Sequence, residues 1–130
     1  MNKLLIGIML VFISSNAVAE WTYFSSTEDF VTYIDMATIR KSGSISSVWA
    51  LDDYVHLKTV GGYNFLSTKY MREFDCNKET SRGVALIEYS KNMGLGSVVY
   101  SSDDEYVQSW KHNVPDTIAQ HVWQIACSKQ

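Results

Sequence analysis

The chain has 130 residues, with 11 Lys and Arg against 14 Asp and Glu and a net charge of −3. A weakly acidic protein has no electrostatic pull toward phosphate backbones or anionic lipid, which sets nucleic acid and membrane-surface binding aside. One proline and no low-complexity tract argue against a linker or disordered tail, so the length fits one domain.

The chain opens with a pattern of export. Lys3 supplies a positive start, Leu4–Ile13 is an apolar run, and Ala17-Val18-Ala19 forms an A-x-A site. This order predicts a signal peptide over residues 1–19, cleaved between Ala19 and Glu20. The competing reading is a buried N-terminal helix or strand. A spanning helix needs about 20 apolar residues, so the run is too short to anchor the chain. No Cys follows the small residues, so a lipid anchor is not expected, and the exported domain would run over residues 20–130. Loss of Lys3 takes the net charge from −3 to −4.

Past Glu20 the sequence reads mostly as strands. Trp21–Ser25 and Phe30–Asp35 are the first two, separated by the polar turn Ser26–Asp29. Asp35 is placed to cap a helical turn over Met36–Arg40, before Lys41-Ser42-Gly43 reverses the chain. Ser44–Tyr54 is a third strand. The clearest alternation follows: Leu66, Thr68, Tyr70 and Phe74 fall on one face, and Ser67, Lys69, Glu73 and Asp75 on the other. Period two over ten residues marks a half-buried antiparallel strand. Arg72 intrudes on its apolar face and Met71 on its polar one. Arg82–Tyr89 and Ser97–Ser102 are strands five and six, with a turn at Met93-Gly94-Leu95-Gly96.

From Asp116 the period changes. Ile118, Val122 and Ile125, flanked by Ala119, Trp123 and Ala126, form one helical stripe, with Pro115 and Asp116 suited to the first turn. Six strands and one terminal helix give an α+β plan, an antiparallel sheet with the helix packed on it. Cys76 and Cys127 are the two cysteines. In an oxidising compartment they are expected to pair, stapling strand four to the helix.

No local catalytic signature is present. His56 is expected in a loop, His112 ahead of the helix and His121 on it, and no serine sits in a G-x-S-x-G elbow. A triad assembled in space stays open, and its version is a small hydrolase using one histidine. Asp52 and Asp53 are adjacent and point to opposite faces of a strand, as a solvated strand end or as partners of Lys69 or Arg82. Asp103-Asp104-Glu105 is dense enough to consider calcium, but D-x-D-x-D-G is missing and an acidic loop is the plainer reading. No metal, cofactor or catalytic residue is assigned. The sequence has 4 Trp and 8 Tyr, a set that fits a core better than a ligand platform. Trp110, in a polar loop near Tyr106, is the ring expected to be exposed. Asp103, Asp104, Glu105, Tyr106 and Trp110 are therefore the candidate partner-binding residues.

Several segments, taken in order, carry a resemblance. They are Tyr33-Ile34-Asp35; Val48-Trp49-Ala50-Leu51-Asp52-Asp53-Tyr54; Ser67 and Lys69 leading to Glu73-Phe74-Asp75-Cys76; Arg82, Tyr89, Gly94 and Gly96; Val99-Tyr100-Ser101-Ser102; Trp110; and Val122 through Cys127. With these the chain resembles the surface-adhesin protein E family over nearly its whole exported length. The resemblance implies a curved six-stranded sheet, a C-terminal helix tied to its concave face by the cysteine pair, and homodimers formed through the sheets. It also implies adhesion to matrix and serum proteins such as vitronectin, laminin and plasminogen. The family's surface lipoproteins carry a lipid-attachment Cys that is missing here, so display at the surface and a periplasmic location both stay open. The alternative function is a periplasmic module for an envelope protein or glycan.

Overall fold

The computed structural model describes residues 20–102 and 106–128. The signal-peptide expectation and Asp103, Asp104 and Glu105 lie outside the described residues. Seven strands form one antiparallel sheet: β1 (Thr22–Ser26), β2 (Phe30–Ser42), β3 (Ile45–Val60), β4 (Tyr63–Asp75), β5 (Thr80–Tyr89), β6 (Val98–Ser101) and β7 (Lys111–His112). The first six follow one another across the sheet as a meander, and β7 pairs with the start of β5 beyond β6. One helix, α1 (Ile118–Ser128), closes the described chain. The architecture is the expected antiparallel sheet with a terminal helix, carrying one short strand more than the expected six.

Register assigns the two faces. Ala50 lies opposite Ile34 and Tyr70, Val48 opposite Arg72, and Ser46 opposite Phe74. Ile34, Val48, Phe74, Val122 and Ala126 are buried together, so this is the face α1 covers. Two polar ties hold the helix there. The Ser46 hydroxyl donates to the Ala126 carbonyl at 2.7 Å, and the Trp123 indole N–H donates to the Asp75 carbonyl at 2.9 Å. Cys76 and Cys127 are bonded, with Cα atoms 5.5 Å apart, as expected. The 11-residue helix is too short to persist alone in water, so its stability comes from this packing and the bridge.

Three sequence expectations are corrected. No helical turn forms over Met36–Arg40. β2 runs through it, with a register shift between Asp35 and Arg40. The local bonds that suggested a cap are present, Ala37 N–H to Asp35 Oδ1 and Thr38 hydroxyl to the Asp35 carbonyl, but they stabilise a bulge. His56 is inside β3, not in a loop, because β3 and β4 continue as a two-stranded arm past their neighbours. The third correction concerns the rings. Among the described residues no Trp or Tyr is fully buried, and the buried rings are Phe65 and Phe74.

Candidate functional site

The face away from α1 is built from the other half of each alternation. Leu51 lies opposite Lys69, Trp49 opposite Met71 and Ser47 opposite Glu73, and β5 adds Ala85 and Arg82 to the same rows. One part of this face is covered. The turn after β5, a short 3-10 segment at Asn92–Gly94, lies over Leu51. It is held by the Ser67 hydroxyl, which donates to the Lys91 carbonyl and accepts from Gly94 N–H, and by Asp53, which accepts from Met93 N–H and the Asn92 amide. Gly94 has φ +68, a conformation that favours glycine. The expected Gly94-Leu95-Gly96 turn is thus a clamp, and Asp53 is one of its anchors. Neither Asp52 nor Asp53 pairs with Lys69 or Arg82.

The uncovered part carries several rings, and three of them, Trp21, Trp49 and Trp110, have a cation on them. The Lys69 ammonium stands 4.9 Å from the Trp49 ring centre and 5.9 Å from that of Trp21. Tyr23 and Tyr33 meet edge to face, with centres 6.3 Å apart. Arg82 pairs with Glu73 at 2.8 Å and lays its guanidinium 4.6 Å from the Trp110 ring. Trp110 is 37% exposed, as the sequence suggested. A cation over an exposed ring contributes about 0.5–1 kcal/mol, which biases the side chains toward this arrangement before a partner arrives. Rings and guanidinium groups held this way are the residue types that dominate protein contacts.

The other candidate residues separate. Tyr106 does not join Trp110. Its hydroxyl and the Gln108 amide lie against Gly83, whose position on β5 opposite Arg72 puts it on the helix-covered face. A side chain on Gly83 would come within 2.9 Å of Gln108 Oε1. Gln108 also exchanges two hydrogen bonds with the Gly83 backbone, which binds the segment after Tyr106 to the sheet edge. Asp52 is on that face as well. It accepts from the Thr32 hydroxyl at 2.8 Å and the Tyr70 hydroxyl at 3.3 Å. Burial pushes its carboxyl above the ordinary range, and those two hydrogen bonds pull the other way. Burial, then the charge of Asp52, pushes the Tyr70 hydroxyl up.

His56, His112 and His121 are exposed on β3, β7 and α1, and among the described residues none is hydrogen-bonded to a serine or carboxylate. Among the same residues no group of three His, Cys, Asp or Glu is placed to hold a metal ion. No helix there is long and apolar enough to cross a membrane.

Comparison with known proteins adds a family and a fold. Residues 21–128 match the family described as Surface-adhesin protein E. No curated protein sequence matches the chain. Among solved structures, crystal form II of Haemophilus influenzae protein E superposes with a TM-score of 0.62 at 15% identity, covering 82% of this chain and 96% of that one. A selenomethionine form of the same protein gives 0.58 at 15% identity, covering 80% and 89%. Protein E from non-typeable Haemophilus influenzae gives 0.54 at 14%, covering 84% of each. At these identities the likeness is one of fold.

Proposed function

Because this chain belongs to the surface-adhesin protein E family, we propose that it is an exported adhesin-like domain whose open sheet face recognises a protein partner. The observation that carries the reading is the set of cation-backed rings at Trp21, Trp49 and Trp110 on the face that α1 leaves bare. Rings kept half out of the core gain nothing for folding beyond their buried half. Held by Lys69 and Arg82, they lose little side-chain entropy on meeting a partner. Matrix and serum proteins are the partner class, and Asp103, Asp104 and Glu105 stay candidate contacts on their sequence alone. A homodimer through the sheets would use this same face. Export through residues 1–19 fits both a periplasmic and a surface location.

The test is binding of the purified, oxidised protein to immobilised vitronectin, laminin and plasminogen at physiological salt, with mass measured by light scattering alongside. Saturable binding to at least one of them supports the reading. Failure to bind any of the three removes the adhesin reading, and a dimer mass in that case assigns the face to self-association.

A further inference from the structure

On the helix-covered face the apolar core stops at Phe74, and the next inward residue on β4 is Arg72. It lines a cleft of about 390 Å³ between the sheet, the Tyr106–Gln108 segment and the first turn of α1. This is the size range of small-molecule sites. An arginine has five N–H donors and no way to lose its charge. Among the described residues Arg72 uses one of them, from Nη2 to the Ser81 hydroxyl at 2.9 Å. Its Nε is buried with no acceptor, and among the described residues no carboxylate pairs with it, since Glu73 is taken by Arg82 across the other face. The Ser81 hydroxyl in turn donates to Asn113 Oδ1, and Asn113 Nδ2 is likewise buried without an acceptor. Among the described residues the cluster therefore has a surplus of donors and a guanidinium with no carboxylate on it.

Ile118 and Ala119, the first residues of α1, line the same cleft. The Thr117 hydroxyl accepts the Gln120 N–H and its carbonyl the His121 N–H, and the partial positive end of the helix adds to the field of Arg72. The remaining walls are of another kind. Asp52, Tyr54, Thr68, Tyr70, Tyr106 and Gln108 offer oxygen and amide groups, while Leu86 and Ile118 offer apolar surface. Thr68, opposite Asp52, is four residues from Arg72 along β4, or roughly 13 Å at the usual strand rise.

We propose that this cleft is a second binding site, for a small hydroxyl-rich acid of the uronic-acid class whose carboxylate sits on the Arg72 guanidinium. A guanidinium fork matches a carboxylate in plane, with two parallel N–H to oxygen bonds. One ligand carboxylate pairs with Arg72, while the Asp52 carboxyl lies at the other end of the cleft. A phosphate dianion would keep an unpaired charge there, with the Asp52 carboxyl further along the same cleft. Ring hydroxyls reach Asp52, Tyr54 and Gln108, and the C–H face of the ring lies on tyrosine and Leu86. The site is independent of whatever the open face binds.

The experiment is a titration of the purified, oxidised protein followed by the Arg Nε–H resonances, with Arg72 identified against Arg40 and Arg82 by its loss in Arg72→Gln. D-Glucuronate is expected to shift the Arg72 signal saturably, whereas D-glucose, with a hydroxymethyl group in place of the carboxylate, leaves it unmoved at the same concentration. Phosphate, whose second charge is repelled by the Asp52 carboxyl, is expected to bind about tenfold more weakly than glucuronate. Arg72→Lys, which keeps the charge and loses the fork, is expected to weaken glucuronate by about tenfold. No shift with glucuronate, an equal shift with glucose, or phosphate binding as tightly as glucuronate each overturns the proposal. The wild-type titrations decide it even if Arg72→Gln fails to fold.

Discussion

The two faces of the sheet solve the same problem in different ways. Each must keep water off half the side chains of four long strands, β2 to β5. The α1 face does so with a covering element, and its centre is the fully buried cluster of Ile34, Val48, Phe74, Val122 and Ala126. Among the described residues the opposite face has a cover where the turn after β5 lies over Leu51, and elsewhere it uses large rings capped by Lys69 and Arg82. The first face depends on one disulfide and one short helix, while the second is self-supporting. Stability is therefore concentrated on one side and available contact surface on the other.

Cutting the staple should separate the faces most. The bridge closes a separation of 51 residues, and Cys76→Ser is expected to cost about 4 kcal/mol on the chain-entropy account. Chemical denaturation should show that loss, and Arg72 and its cleft should lose definition with α1 while the Trp49 and Lys69 pair keeps its fluorescence. Equal midpoints for wild type and variant would remove the staple from the account. Ser46→Ala keeps the bridge and leaves the buried Ala126 carbonyl without its partner, with an expected cost of about 1–2 kcal/mol in the same assay.

Asp52→Asn probes charge on the covered face. Burial raises the folded-state pKa of Asp52 above its ordinary 3.8, so the folded protein holds that proton more tightly than the unfolded chain. Stability attributable to Asp52 is then highest at low pH and is lost as pH rises through the raised value. The asparagine variant keeps an acceptor for Thr32 and Tyr70, and is expected to flatten this slope and to be no less stable than wild type at pH 7. A steeper slope in the variant would reverse the assignment. The smallest expected effect is that of Trp110→Ala, which should cost about 0.5–1 kcal/mol, the loss of the Arg82 contact on a ring outside the buried core cluster.

The two faces also differ in how well the sequence announced them. The alternation of Leu66, Thr68, Tyr70 and Phe74 and the stripe of Ile118 and Val122 are direct images of burial, so both elements lie where their periods predict. Arg72 was visible as an intruder on an apolar face, which is the signal for the cleft. What it meets there depends on Gly83, Gln108 and α1, brought close only by the fold. The ring pairs were hidden for a similar reason. Lys69 and Trp49 are twenty residues apart, and a strand pairing sets them side by side. Tyr106 and Trp110 look like neighbours in sequence, yet the segment passes the sheet edge between them and sends one ring to each face. β7 was missed because two residues carry no period to read.

The most direct test of the division of labour is a pair of single variants, one per face, in the same binding assay. Lys69→Glu on the open face and Arg72→Gln on the covered face are compared with wild type for binding to immobilised vitronectin, laminin and plasminogen. The account predicts that Lys69→Glu weakens protein binding by about tenfold or more, as loss of an anchored hot spot does, and that Arg72→Gln leaves it unchanged. Loss of protein binding in Arg72→Gln with Lys69→Glu unaffected would place the protein site on the helix-covered face and contradict the account.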